Sequence, residues 1–394
     1  MKYTKTSWNS IKISDCCSFI RGVTYSKNNE VDSNGFCILR ANNISITNRI
    51  NFNDIKLISN NVVINEEKRL RKNDILFCVY SGSVEHVGKV GFINADTEFF
   101  AGGFMGILRP MQNVINAYYL YNVLISSLFE DLKKTQRAGT NIQSLKFSDF
   151  ESYKIPLPPL KEQKQIASLF QYIVTAMEKM EMQEKNLFNL KNKLLGDLFN
   201  DKQQFGNHLV AKDFETVRFD KVAINISERV EPKKTELTTY VGLEHLDADN
   251  LKIERTGTPD DVIGTKLKIY KGDIIFGKRR AYLRKVAVSH FDGIASAHSM
   301  ILRANENYIE KDFLPYFMQS DTFMSRAVQI SEGSLSPTIK NKTLAQQEFT
   351  LPKKEKQKEL VTIFKQFDLT MEQLKQQKKT LKNLKEKLLE EILG

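Results

Sequence analysis

The chain has 394 residues, which suggests two to three domains, and its 41% hydrophobic content is enough for packed cores. A net charge of +11 points towards a polyanionic partner, most simply nucleic acid. No run of about 18 apolar residues occurs, so no membrane span is expected. Met1-Lys2-Tyr3-Thr4-Lys5 leads into no apolar run, so no signal peptide is expected either. The four cysteines, Cys16, Cys17, Cys37 and Cys78, match no zinc spacing and read as reduced thiols, which suits a cytoplasmic protein.

In chain order, residues 1–156 read as a mixed α/β domain. Strand-like runs fall at 10–13, 36–40, 74–80, 87–93 and 106–109, punctuated by Gly, Asn and Asp. A helical run over 117–132 follows, and a polar loop around Arg137 and Asn141 leads to a long segment at 157–205 with no proline after its Leu-Pro-Pro start. Residues 206–350 repeat the order of the first domain, with a helical run over 312–328, and residues 351–394 repeat the long segment. Residues 157–199 and 351–393 align without a gap, and 16 of the 43 pairs are identical, Gln183/Gln377 and Leu190-Lys191/Leu384-Lys385 among them. A repeat of that length has to be read first, because it sets the architecture.

Each long segment opens with Leu-Pro and then carries apolar residues at coiled-coil spacing. The first seam is expected at Ile166, Leu169, Ile173, Ala176, Met180, Gln183, Leu187, Leu190 and Leu194. The second is expected at Leu360, Ile363, Phe367, Thr370, Leu374, Gln377, Leu381, Leu384 and Leu388. Each predicts a helix of about 38 residues, roughly 57 Å long. Neither can bury its stripe alone, and the natural partner is the other copy. A Gln183/Gln377 pair near mid-helix would fix register in either direction of pairing, so the spacing leaves parallel and antiparallel open. The globular parts match only at scaffold positions, such as Asp74/Asp273, Leu108-Arg109/Leu302-Arg303 and Gly139/Gly333, while their loops differ. Two modules that share a fold and differ in their loops are suited to binding different things.

The block from Ile155-Pro156-Leu157-Pro158-Pro159-Leu160-Lys161-Glu162-Gln163 into the heptad helix resembles the DNA-specificity subunit of type I restriction–modification systems. The Leu351-Pro352 helix, Tyr240-Val241-Gly242-Leu243-Glu244 and Lys271-Gly272-Asp273-Ile274 add to the likeness, which covers essentially the full length. The resemblance implies two target-recognition domains, each reading one half of a bipartite asymmetric DNA target. It implies two helices paired as an antiparallel coiled coil, which set the spacing and dock two methyltransferase subunits. Two restriction/translocase subunits would join through that core. The chain itself would be non-catalytic, with S-adenosylmethionine, ATP and magnesium bound by partner subunits. The other reading is a coiled-coil scaffold without DNA binding.

The residues agree with a non-catalytic role. Methyltransferase tetrapeptides of the Asn-Pro-Pro-Tyr type are absent. The one phosphate-loop near-match, Gly272 to Arg279, has Arg279 where a Ser or Thr would hold magnesium, and it reads as a strand with a basic loop. The five histidines form no ligand pair. Candidate DNA contacts in the second domain are Lys278, Arg279, Arg280, Tyr282, Arg284 and Lys285, where basic groups and a tyrosine suit phosphate clamping and guanine reading. The matching stretch of the first domain offers Tyr80, Ser81 and Ser83. The loops before the long helices offer Arg137, Thr140, Asn141 and Gln143 in one copy, and Ser334, Ser336, Thr338 and Lys340 in the other. Arg21 and Tyr25 complete the set.

Overall fold

The structure is a computed structural model and describes residues 8–81, 86–130, 147–199, 205 and 208–393. The chain divides into two compact units, Met1–Glu181 with Gln376–Gly394, and Met182–Lys375. Each unit holds one globular domain and a segment of both long helices.

The first domain runs β1 (Asn9–Lys12), β2 (Cys17–Arg21), β3 (Glu30–Val31), β4 (Gly35–Leu39), β5 (Lys56–Ser59), β6 (Ile75–Cys78), β7 (Val90–Phe92), β8 (Phe99–Ala101) and β9 (Met105–Pro110). Helices α1 (Ala117–Leu124) and α2 (Phe147–Glu151), strand β10 (Lys154–Leu157) and the long helix α3 (Leu160–Leu198) follow. One antiparallel sheet has the order β2-β9-β6-β7, a second has β3-β5-β4-β8 with β4 and β8 parallel, and β1 pairs with β10.

The second domain runs β11 (Phe214–Arg218), α4 (Phe219–Val222), β12 (Ala223–Ile226), β13 (Arg229–Val230), β14 (Tyr240–Val241), β15 (Lys266–Ile269), β16 (Ile274–Gly277), β17 (Val286–Val288), β18 (Gly293–Ala295) and β19 (Ser299–Ala304). It ends with α5 (Phe313–Gln319), α6 (Asp321–Gln329), α7 (Asn341–Ala345), β20 (Glu348–Pro352) and the long helix α8 (Lys354–Leu393).

The strand registers of the two domains coincide. Ile75 faces Leu108 as Ile274 faces Leu302, Ile38 faces Phe100 as Tyr240 faces Ile294, and Ile11 faces Ile155 as Val217 faces Phe349. They diverge at one strand. In the second domain β15 pairs directly with β18, whereas in the first β4 lies between β5 and β8 and only the bridge Arg69↔Phe100 keeps the corresponding contact.

Strands β6 and β16 read as continuous apolar runs because both faces are covered. Ile75 and Phe77 join the helix-side core, while Leu76 and Cys78 face the second sheet. Ile274 and Phe276, against Ile275, do the same in the second domain. The matched Asp/Arg pairs explain themselves here. Arg109 grips the buried Asp74 at 2.9 and 2.8 Å, and Arg303 grips the buried Asp273 at 2.7 and 3.1 Å. Each carboxylate also accepts a backbone N–H, from Arg71 and from Tyr270 respectively. A buried carboxylate held by a two-pronged guanidinium and an amide is fully satisfied.

The helices expected over 117–132 and 312–328 are interrupted. At Ser320 the chain leaves the helix, and its Oγ accepts from the Phe323 N–H to start α6. A serine can offer the backbone this alternative to a continuous ladder. In the first domain α1 stops at Leu124, and the Ser126 hydroxyl donates to the Val123 carbonyl.

The long helices pair antiparallel. Within the first unit Ile166, Ala167 and Phe170 share a core with Leu389, Ile392 and Leu393. Within the second, Leu195 and Leu198 share one with Leu360, Val361 and Phe364. In each unit the start of one helix therefore lies beside the end of the other.

The buried seam is shifted from the one the spacing suggested. Positions 166, 173, 180, 187 and 194 keep their inward place, and 170, 177, 184 and 191 join them; Leu169 and Ala176 are half-buried as well, while 183 and 190 face out. The second helix shows the same shift, to 364, 371, 378 and 385. Gln183 and Gln377 are exposed, and Leu190 and Leu384 are 45% and 43% exposed, so no glutamine pair fixes the register. The buried phenylalanines Phe170 and Phe364 take the seam from Leu169 and Ile363. Lys191 sits in the seam with its Nζ 2.6 Å from Asp368 Oδ1 and 5.0 Å from the centre of the Tyr316 ring.

Both helix starts are fixed by a buried glutamine. Gln163 accepts from the Asn116 N–H and donates to the Pro158 carbonyl, each at 2.8 Å. Gln357 accepts from the Glu310 N–H and donates to the Pro352 carbonyl, again at 2.8 Å. The prolines end the preceding strand and cannot extend a helix backwards. The Leu-Pro-x4-Gln pattern of the repeat is thus a joint between a domain and its helix.

Candidate nucleic-acid interface

Strand β16 delivers the chain at Gly277 into Lys278-Arg279-Arg280. Arg280 and Arg284 both lie in the left-handed region, with φ of +57° and +53°, and bracket a short turn anchored by the buried Ala281. Non-glycine residues hold that conformation only where their surroundings enforce it. For Arg284 the surroundings are Asp249 at 2.6 Å, Asp321 at 2.8 Å and the Gln319 carbonyl at 2.6 Å. All three of its nitrogens are committed to the fold, and Lys285 Nζ donates to the Leu243 carbonyl at 2.5 Å. Arg280 and Tyr282 remain exposed on the turn.

The loop before α7 is laced to this exit. Glu332 and Thr338 exchange backbone hydrogen bonds of 3.0 and 2.9 Å, with Gly333 supplying a φ of +102°. The Arg280 N–H donates to the Pro337 carbonyl at 2.7 Å, and the Ile339 N–H to the Lys278 carbonyl at 2.9 Å. Ser336 Oγ accepts from Arg279 at 3.1 Å and from Arg280 at 3.3 Å. The structure therefore joins two stretches that the sequence offers separately. Ser334 is exposed beside them, Thr338 donates to the Ser336 carbonyl, and Lys340 pairs with Glu332 at 2.6 Å.

A third strand end completes the group. His298, between β18 and β19, lies with Nε2 3.5 Å from Arg279 Nη1. Burial first, then the charges of Arg279, Lys278 and Lys266, hold the His298 imidazolium below its ordinary pKa. Burial and the neighbouring Arg229 likewise lower Lys278. The positive charges of Arg279, Lys278, Lys266 and Arg229 are close enough here to act on one another, and a polyanion would offset them.

The first domain builds the same corner from other residues. Cys78 faces Met105 as Gly277 faces Ser299, so Tyr80 corresponds to Arg279 and Phe104 to His298. The N–H groups of Val79 and Tyr80 both donate to the Phe104 carbonyl, at 3.0 and 3.1 Å. The Tyr80 and Phe104 rings lie 5.0 Å apart, 43% and 65% exposed. The segment of Arg21 and Tyr25 runs along the turn that carries Phe104. There Gly22 and Gly102 approach so closely that a Cβ on Gly22 would stand 1.9 Å from the Gly102 carbonyl oxygen. Arg21 is exposed, whereas Tyr25 is half-buried beside Val23, and burial raises its pKa. Ser81 is half-buried, and Ser83, Arg137, Thr140, Asn141 and Gln143 lie outside the described residues.

Sequence reasoning overlooked Phe104, His298 and Arg229. A signal existed for the first two, because the offset of 194 that matches the repeats also aligns Phe104 with His298, one residue before each returning strand.

A family model described as the type I restriction modification DNA specificity domain matches residues 5–187 and again residues 212–383. The chain belongs to that family. It is 24% identical to the type I restriction enzyme EcoKI specificity subunit of Escherichia coli K12, over 90% of this chain and 80% of that one. It is 24% identical to the MjaVIII specificity subunit of Methanocaldococcus jannaschii, over 98% and 92% of the two chains. The fold is shared with a crystal structure of a type I restriction–modification S subunit from M. genitalium. The TM-score is 0.59 at 16% identity, covering 100% of this chain and 98% of that one. Among the described residues of this specificity-family chain, no helix is long and apolar enough to cross a membrane. No group of His, Cys, Asp and Glu among them is placed to hold a metal ion.

Proposed function

We propose that this chain is the non-catalytic DNA-recognition and assembly subunit of a type I restriction–modification complex. Each domain reads one half of a bipartite, asymmetric DNA target. The observation that carries this reading is the shared strand register with unlike side chains at matched strand ends, Tyr80 and Phe104 against Arg279 and His298. One scaffold presenting two chemistries is what an asymmetric target requires. The long helices set the spacing of the half-sites, and about 39 residues at 1.5 Å each give roughly 58 Å, more than the ~34 Å of one DNA turn.

The helices also dock two methyltransferase subunits, through which two restriction/translocase subunits join. Leu190 and Leu384 support this, because they are the same residue in both repeats and both stand exposed, one on each copy of the surface. S-adenosylmethionine, ATP and magnesium are bound by those partners.

Co-expression with the cognate methyltransferase, followed by single-molecule methylation mapping, tests the reading. A split asymmetric motif should appear only when this chain is present, and exchanging residues 206–350 should change one half of it. A chain that binds no methyltransferase and alters no methylation would refute it.

A further inference from the structure

We propose that the matched pair at the ends of the central strands is the base-reading element of each domain. Tyr80 with Phe104 takes a thymine C5-methyl group in one half-site. Arg279, held by Ser336 and His298, takes the O6/N7 edge of guanine in the other. The inference rests on the DNA-specificity reading above and deepens it.

The chemistry follows from what each corner exposes. Tyr80 and Phe104 are side-by-side rings, 43% and 65% exposed, on a corner built by strand register and by two N–H groups on one carbonyl. In an intact duplex the base faces are stacked on each other, so a protein ring cannot stack on them. The apolar feature left in the major groove is the thymine methyl group. Arg279 is the opposite case. One Nη donates to Ser336 at 3.1 Å and the other lies 3.5 Å from His298. Those contacts occupy two of the five guanidinium N–H groups and fix the plane of the fork, leaving three donors. A planar fork of fixed orientation matches guanine O6 and N7. Arg284, with all three nitrogens engaged by the fold, is not equipped for this.

The test uses the complex of the full chain with its methyltransferase subunits. Methylation mapping first gives the motif, and duplexes are then made with deoxyuridine for each thymine or 7-deazaguanine for each guanine. Removing one thymine methyl in the first domain's half-site should weaken binding roughly fourfold. The Tyr80→Ala/Phe104→Ala variant should no longer respond to it. Removing guanine N7 in the other half-site should weaken binding roughly 5- to 150-fold. Arg279→Ala should lose that response. Arg279→Lys should lose it too while keeping the salt dependence of binding, because the charge remains and the fork does not. If the wild-type complex shows a split motif but either analogue is without effect, or the variants keep their sensitivity, the proposal is overturned. If no motif depends on the chain, the specificity reading itself has failed and this assignment falls with it.

Discussion

Replacing Asp368 by alanine probes how the second domain is fixed to the paired helices. The Lys191 side chain is 5% exposed, and its ammonium has Asp368 at 2.6 Å as its counter-ion. The same carboxylate accepts the Tyr316 hydroxyl at 2.7 Å, so one group joins α3, α5 and α8. Removing one partner of a buried pair costs about 3–5 kcal/mol, because the remaining charge stays desolvated. Asp368 itself is 36% exposed, so water can reach the gap, and about 3 kcal/mol is the better figure. For a unit of this size that corresponds to a fall of roughly 9 °C in melting midpoint. Helix loss followed by circular dichroism should show it. Fluorescence of Trp8, the single tryptophan, which lies in the first unit and donates to Glu162, should move less. Lys191→Met with Asp368→Leu should restore most of the loss, since a well-packed apolar pair often replaces a buried ion pair at little cost. An unchanged midpoint in Asp368→Ala would mean that solvent already screens the pair. A double variant as unstable as the single one would mean that packing, not charge, was lost.

The shifted seam predicts that Phe170→Ala costs about 3–5 kcal/mol whereas Leu190→Ala stays within about 0.5, read from urea midpoints. The reverse ranking would restore the seam through 169 and 190. Gln357→Ala leaves the Glu310 N–H and the Pro352 carbonyl without their buried partner and should cost about 2–3 kcal/mol, measurable as a lower melting temperature with an unchanged far-ultraviolet spectrum at 20 °C or so. Stability should also fall in alkali. Burial raises Cys78 and Tyr118 to about 12 and pushes Tyr119 and Tyr121 up as well. The folded chain therefore keeps protons that the unfolded chain releases. The contribution is whole below the ordinary thiol and phenol values, about 8.5 and 10, and is lost as pH climbs from there through the folded values. Urea midpoints that stay level from pH 8 to about 11 would contradict this.

Much of the architecture was legible because the repeat carries it. The gap-free match at 157–199 and 351–393, and the Asp/Arg and strand matches between the domains, correspond to contacts that only one geometry satisfies: a helix joint, a buried clamp, a ladder. The seam was misread by one position for a physical reason. The alternatives at 169/170 and 363/364 are apolar in every case, and at 190/191 the leucine looks like the better core residue than lysine. Periodicity cannot choose between adjacent apolar residues, and it cannot see that Asp368 and Tyr316 make a buried place for Lys191. The interface was legible as composition and not as geometry. Five basic positions in eight looked equivalent, yet Arg284 and Lys285 are consumed by carbonyls and carboxylates that lie far away in sequence. His298 looked solitary for the same reason, since its partner is 19 residues earlier, just past the end of another strand.

The division between clamp and corner also explains how one fold can serve two readings. Changing Asp74 or Asp273 would leave a backbone N–H and a guanidinium without their buried acceptor, a loss of about 1–3 kcal/mol, so these positions are tied to the fold. Tyr80 and Phe104 stand at strand ends with exposed rings, and Arg279 is held there by a serine and a histidine rather than by a buried carboxylate. Substitution of the two exposed rings moves stability by only about 0.5 kcal/mol. The register that positions the corner is set two residues away, by backbone pairing that ignores side-chain identity. Side chains at the corner are therefore free to change with the base they meet, while the strands that aim them stay as they are.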